Sequence, residues 1–259
     1  MMMKNQLQIG ITMNGQPVSQ AQVTLVAGYR AKHVLQEMQS LGIDVPLTTT
    51  EINYLSSEAA IQQLIKVKSQ LSPAEIKAKY QQPLAAADDF WRAVAHRSNG
   101  REQLQESRVD LSVTGFSMQQ LQQVLGSELD ANFAAKINPE HFYSDGSVAT
   151  GQHIIETFGC FGEPTEMDLH VETTDYTPVE PNPDYPLKMN GYTTLHSDGT
   201  DFDGGLRAFH QVKPRTDGFD AILAAYVPSA TPQEIVLGHQ WHLAIEFSEM
   251  IKFAAAHQE

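Results

Sequence analysis

The sequence has almost no cysteine. Cys160 stands alone, so an intrachain disulfide cannot form. Basic residues are scarce too, with 17 Lys and Arg against 31 Asp and Glu, giving a formal net charge of -14. Without a basic run, nucleic acid is not an expected partner, because phosphate backbones are held by concentrated positive surface. The same charge would repel anionic lipid headgroups. No stretch reaches the ~18 consecutive apolar residues of a membrane helix. The opening MMMKNQLQIGIT has no apolar run of secretory length, so a cytoplasmic location is the expectation. The glycines form neither a dinucleotide nor a phosphate loop, and no nucleophile elbow occurs, which removes several large enzyme classes.

What is present is a chain of 259 residues that is 41% hydrophobic, enough to bury a sizeable core without a disulfide or metal. Its charged fraction is only 19%, and Gln is common in the first half. A small, neutral or weakly acidic molecule suits such a surface better than a polyanion.

From Leu7 to Val26 polar and apolar residues alternate around Asn14-Gly15, a hairpin signal. The pattern turns helical from Tyr29 to about Leu41 and stops at Gly42. Further helices are expected over 57–68, from the Ser72-Pro73-Ala74-Glu75 start signal, and around Asp88 to His96. Residues 1–105 thus read as a mostly helical region around one small hairpin.

The remainder, 106–259, has a different character. Strands are expected at Val109–Val113, Ile154–Phe158, Met167–Val171, Tyr192–His196, Leu206–Val212 and Ala221–Val227, with a helix start at Ser117 and a Pro-, Asp- and Asn-rich loop from Tyr176 to Pro186. Short strands at this spacing predict an antiparallel sheet rather than repeated strand–helix–strand units. A long final helix starts at Thr231-Pro232-Gln233-Glu234, with Ile235, Leu243, Phe247, Met250, Ile251 and Ala254 as its apolar stripe. The fold class expected is α+β, an antiparallel sheet around a long C-terminal helix, with a cavity between the two.

His242 and Glu246 lie four residues apart on that helix and so share a face. An imidazole nitrogen and a carboxylate oxygen presented together form a common half of a Zn²⁺ site; the same spacing also occurs as an ordinary surface pair. The flanking Leu243 and Phe247 place the pair beside the apolar stripe, where a carboxylate needs a cation or hydrogen bonds. His239 is a further ligand or a neighbour on nearly the same face. A second cluster is Pro139-Glu140-His141 followed by His153-Ile154-Ile155-Glu156. Glu156 between two large apolar residues on one strand face is costly unless it binds something; the opposite register turns it outward. His153, on the other face, is the weaker ligand. His196 and His210 sit in expected strands and are the proton-transfer candidates. Cys160 lacks a credible adjacent base.

In several of these segments the chain resembles the family of diacetylphloroglucinol and phloretin hydrolases, over roughly Val109 to Phe253. The resemblance is carried by Gly115-Phe116-Ser117 leading into Met118 and Leu121, by Pro139-Glu140-His141, and by the isolated Glu156. Later it is carried by Phe209-His210-Gln211-Val212 with Thr216-Asp217-Gly218, and by His242-Leu243-Ala244-Ile245-Glu246 continuing to Met250 and Phe253. Gln119, Gln120, Gln122 and Gln123 stand where that family has a Trp-rich helix. The resemblance implies a helix-grip (Bet v 1-like) catalytic domain, a metal set of His141, Glu156, His242 and Glu246, and a homo-oligomer.

The reaction it implies is hydrolysis of a carbon–carbon bond next to a ketone in an acylphenol or β-diketone. Zn²⁺ is the first expectation for the ion, and two His with two carboxylates would also accept Fe²⁺ or Mn²⁺. His210, then His196, would be the acid or base. The alternatives are a helix-grip protein that binds an apolar ligand without catalysis, and a metal-dependent isomerase, lyase or oxygenase at the same site.

Overall fold

The computed structural model describes residues 6–100, 103–125, 133–147, 151–160, 163–199 and 206–257. It is α+β. Strands β1 (Gln8–Met13) and β2 (Gln16–Val18) meet at Asn14 and Gly15. Both turn residues have positive φ, 51° and 74°, as a type I′ turn requires. The next helix, α1 (Gln20–Ser40), starts well before Tyr29. Ser19 and Gln22 cap it reciprocally, with Gln22 N–H donating to Ser19 Oγ at 3.2 Å and Ser19 N–H donating to Gln22 Oε1 at 2.9 Å. That capping box outweighs the alternation through Val26.

Three more helices follow the expected pattern: α3 (Ser57–Lys68), α4 (Pro73–Lys79) and α5 (Gln81–Arg97). The short α2 (Thr49–Tyr54) between α1 and α3 was not expected, although Thr48 and Glu51 form the same kind of capping box. After β3 (Leu104–Thr114) come α6 (Met118–Leu125), α7 (Phe133–Ile137) and the strands β4 (His141–Ser147), β5 (Gly151–Glu156), β6 (Thr165–Val171), β7 (Leu187–Leu195), β8 (Arg207–Arg215) and β9 (Gly218–Pro228). Of these α7 and β4 were not expected. The chain ends in α8 (Gln233–Ala256), whose N-cap is Pro232, with no side-chain cap. Thr231 does not cap it; its Oγ1 is buried without a hydrogen-bond partner.

All nine strands form one sheet in the order β2-β1-β3-β9-β8-β7-β6-β5-β4. Every neighbouring pair is antiparallel. Helix α8 lies against β3, β1 and β9, burying Leu243, Ile251 and Ala254 with Val109, Leu111, Val113 and Leu223. The hairpin extends the sheet beyond β3. At the opposite edge, Val34, Leu35 and Met38 of α1 and Leu64 of α3 share a core with Phe142 and Ile155 of β4 and β5. Residues before and after 105 therefore share one sheet and contribute together to three separate apolar clusters. Among the described residues, no helix is long and apolar enough to cross a membrane.

Candidate metal centre

Three elements converge where β4, β5 and α8 meet. His141 opens β4 directly opposite Glu156 at the end of β5. A register shift between His141 and Tyr143 re-aims the first side chain, as bulges at sheet edges do. His242 and Glu246 lie one turn apart on α8. Close approach of β5 to this helix depends on Gly159, whose φ is +85° and whose added Cβ would lie 2.3 Å from Gly238 of α8. Two backbones meet there with no room for a side chain.

Three of the four donors, from His141, Glu156 and His242, face one another, and Glu246 approaches the group at His242. His141 Nε2 lies 3.0 Å from His242 Nε2 and 3.1 Å from Glu156 Oε2. His242 Nε2 lies 3.8 Å from Glu156 Oε2 and 3.7 Å from Glu246 Oε2. Zn–N and Zn–O bonds of ~2.0–2.1 Å in a tetrahedron place ligand atoms about 3.3–3.4 Å apart, and the four separations bracket that value. His141, Glu156 and His242 also form a compact group by mutual distance.

Behind these side chains stands Glu140, fully buried. Its Oε2 accepts from His242 Nδ1 at 3.0 Å and from Arg30 Nη1 at 2.5 Å. Arg30 also donates to the carbonyl of Gly238 at 2.7 Å. With the Nδ1 proton given to a carboxylate, the Nε2 lone pair of His242 turns toward the other donors, the usual carboxylate–histidine–metal arrangement. Asn138 fixes the preceding turn, accepting from Glu140 N–H at 3.0 Å and donating to the His242 carbonyl at 3.3 Å. Lys68 Nζ donates to the Pro139 and His141 carbonyls, both at 2.6 Å.

Electrostatics fit a divalent cation. Burial alone would raise the Glu140 carboxyl, but Arg30 and His242 outweigh it and hold the group at about 2. Arg30 neutralises Glu140, which leaves Glu156 and Glu246 facing two imidazoles. Burial likewise opposes ionisation of Glu156, yet the charge of His242 and the hydrogen bond from His141 bring it to about 2. Burial, with the nearby Glu156 charge adding, pushes Glu246 above the ordinary carboxyl range. His242 is raised despite its burial, by Glu156 and Glu140. With both rings deprotonated on binding, two carboxylates and two imidazoles would match a 2+ ion in charge and in donor type.

The remaining candidates lie around or outside this group. His239 is buried, stacks on His242 at 4.8 Å and contacts Phe158 at 5.3 Å. Its Nδ1 has no hydrogen-bond partner, and burial lowers it to about 3. His210 on β8 packs against Phe247 of α8 at 5.1 Å, and its Nδ1 accepts from Ala224 N–H at 3.2 Å. Burial lowers this ring to about 4, so it is neutral near pH 7. His153 and His196 lie on the other side of β5, away from Glu156. Burial pushes the Cys160 thiol up, with Glu140 adding to it. Two clefts, one lined by Gln105, Glu106 and Tyr226 and the other by Lys77, Asp88 and Glu166, include none of the four ligand candidates; solvent meets the group at Glu156 and Glu246, whose side chains are 12% and 21% exposed.

Sequence reasoning missed Arg30, and it named Glu140 only within Pro139-Glu140-His141, without a role behind His242. A signal for Arg30 existed: Ala27, Arg30, Ala31, Val34 and Met38 form one buried helical stripe, and a charge in such a stripe requires a partner. The chain matches no protein-family model and no curated sequence, so the reading of this centre rests on the geometry and chemistry of its own residues.

Proposed function

We propose that this protein is a metal-dependent hydrolase that cleaves a carbon–carbon bond next to a ketone in an acylphenol or β-diketone-like small molecule. The observation that carries the reading is the convergence of His141, Glu156, His242 and Glu246, with Glu140 behind His242. Sheet and C-terminal helix are read as an enlarged helix-grip arrangement, extended by the β1–β2 hairpin. Zn²⁺ is the proposed ion, and the resemblance adds a homo-oligomer as the working form.

When bound, such an ion polarises a carbonyl and lowers the pKa of water toward neutrality. The protein's own residues supply orientation and proton handling. Glu140 holds the Nδ1 proton of His242, fixing the ring, while Arg30 keeps Glu140 ionised. In the proposed reaction a water oxygen joins the acyl carbon, the bond from that carbon to the ring or enolate carbon breaks, and the departing carbon takes up a proton. Water thus adds across the cleaved bond. His210 is the residue we assign to relay that proton. Its Nδ1 is already an acceptor, so Nε2 carries the hydrogen.

Elemental analysis of tag-free protein tests the centre. At least one transition-metal ion per chain is expected in the wild type, with one ion fewer in His242→Ala and Glu246→Ala while the fold persists. Turnover of acylphenols and β-diketones by the loaded protein tests the reaction. A wild type that neither carries nor takes up Zn²⁺, Fe²⁺ or Mn²⁺ would refute both; loaded protein that leaves every such substrate intact would refute the chemistry alone.

A further inference from the structure

Three adjacent strands present a second set of metal-binding side chains. His153 on β5 pairs with Asp168 on β6, Asp168 pairs with Thr194 on β7, and His196 N–H donates to the Glu166 carbonyl. Alternation along the strands then puts His153, Glu166, Asp168 and His196 on one face of the sheet, opposite the face of Glu156. Glu166 Oε1 is the meeting point. His153 Nε2 lies 2.8 Å from it and His196 Nε2 3.7 Å. One donor atom from each of His153, Glu166 and His196 lies within 4.8 Å of the others.

The support of His196 repeats the logic of the first centre. Its Nδ1 lies 2.9 and 3.0 Å from the two carboxylate oxygens of Asp168, which holds the Nδ1 proton and leaves the Nε2 lone pair toward Glu166. The two imidazole rings stack at 4.1 Å, only 19° from parallel, so joint coordination of one ion requires His153, which has no carboxylate at its Nδ1 among the described residues, to turn its ring plane toward the Nε2 of His196. A cation already occupies the approach: Lys77 of α4 makes an ion pair with the same Glu166 Oε1. That lysine is 38% exposed, on a flexible stem that can swing into solvent. Beside the group runs a cleft of about 310 Å³ lined by Lys77, Asp88, Glu166 and Ser197 among others, with room for water to complete a coordination shell.

We propose that His153, Glu166 and His196 form a second divalent transition-metal site, with Asp168 positioning His196 and Lys77 competing for Glu166. Two imidazoles and one carboxylate select a borderline ion such as Zn²⁺, Co²⁺ or Ni²⁺ over Mg²⁺ or Ca²⁺. The inference does not depend on the chemistry proposed for the first centre.

The test is titration of metal-stripped, tag-free full-length protein with Zn²⁺ against a chromophoric chelator, repeated with Co²⁺ by absorption spectroscopy. Wild type is expected to bind two ions. His153→Ala/His196→Ala binds one fewer, and His242→Ala retains the ion that this double variant loses. Asp168→Asn weakens that ion ~10-fold or more, as loss of a ligand-orienting carboxylate does. Lys77→Ala tightens it ~2- to 5-fold, the range expected when an exposed ion pair stops competing. Equal stoichiometry in wild type and His153→Ala/His196→Ala overturns the proposal, as does weaker binding in Lys77→Ala. A wild type that binds one ion, lost in the His153/His196 variant and kept in His242→Ala, sustains this site and refutes the first.

Discussion

Replacing Glu140 with Gln is the sharpest perturbation of the centre, because it leaves shape intact and removes one charge. In the wild type one oxygen of the buried carboxylate serves Arg30 at 2.5 Å and His242 Nδ1 at 3.0 Å, while the other accepts from Thr157 Oγ1 at 3.3 Å. In the variant the amide oxygen still accepts from Arg30, but the buried guanidinium, which also donates to the Gly238 carbonyl, loses its counter-charge. Breaking a buried pair in this way costs about 3–5 kcal/mol, and at ~2–4 °C per kcal/mol for a chain near this length the melting temperature should fall by roughly 6–20 °C. Metal affinity should fall as well, by ~10- to 100-fold, because a neutral amide orients and polarises His242 less strongly.

The two losses separate in Arg30→Met/Glu140→Gln. Removing both charges eliminates the stranded cation, so most of the stability returns, whereas the metal affinity stays low. Thermal unfolding of the metal-stripped proteins and chelator competition measure the two quantities. The pH dependence has a definite sign. The folded carboxyl lies at about 2, below its ordinary value of 4.5, so its contribution is fully present above about 4.5 and disappears as pH falls through 2. The gap between wild type and Glu140→Gln should therefore narrow only over that acid window. A Glu140→Gln protein with wild-type stability and metal affinity would show that the pair neither supports the core nor orients His242.

Other consequences can be measured independently. His210 is held at about 4 by burial against 6.5 when unfolded; the unfolded chain binds more protons between these values, so stability should drop as pH falls from about 6.5 to 4. His210→Leu should flatten that part of the stability–pH profile, and an unchanged slope would assign it to other groups. For the proposed reaction, His210→Ala should lower kcat and alter its pH profile, while retention of both would remove His210 from the proton path. Gly159→Ala forces a side chain onto a residue at φ +85° and into the Gly238 backbone. It should cost upward of about 1–3 kcal/mol and weaken metal binding by moving β5 away from α8, with melting temperature and chelator competition as readouts. Trp91→Phe removes the donor that meets Thr165 Oγ1 at 2.9 Å and should destabilise by about 1–3 kcal/mol, the cost of stranding a buried polar group.

Much of this protein is written locally. The Asn14-Gly15 turn, the helix over 57–68, the Ser72 cap and the strands β6, β8 and β9 follow from backbone preferences and periodicity that act within a few residues. The same local geometry places His242 beside Glu246. Capping boxes at Ser19 and Thr48 were legible too, but the alternation through Val26 masked the first, and α2 is too short for periodicity to reveal the second.

The sequence could not determine which distant segments meet. His141 faces Glu156 only because β4 pairs with β5 in one particular register, and a shift of one residue would send Glu156 to the opposite face. His153, the weaker ligand candidate in the sequence, joins Glu166 and His196 only through the packing order of β5, β6 and β7. Arg30 and Glu140 are separated by 110 positions; the helical stripe of α1 turns Arg30 inward, but nothing local tells it which carboxylate it will meet. The ion pair forms because helix α1 lies across the junction of β4 and α8. Local sequence thus supplied the donors and half of their arrangement, while the tertiary fold brought the two halves together and decided which charges are paired away from water.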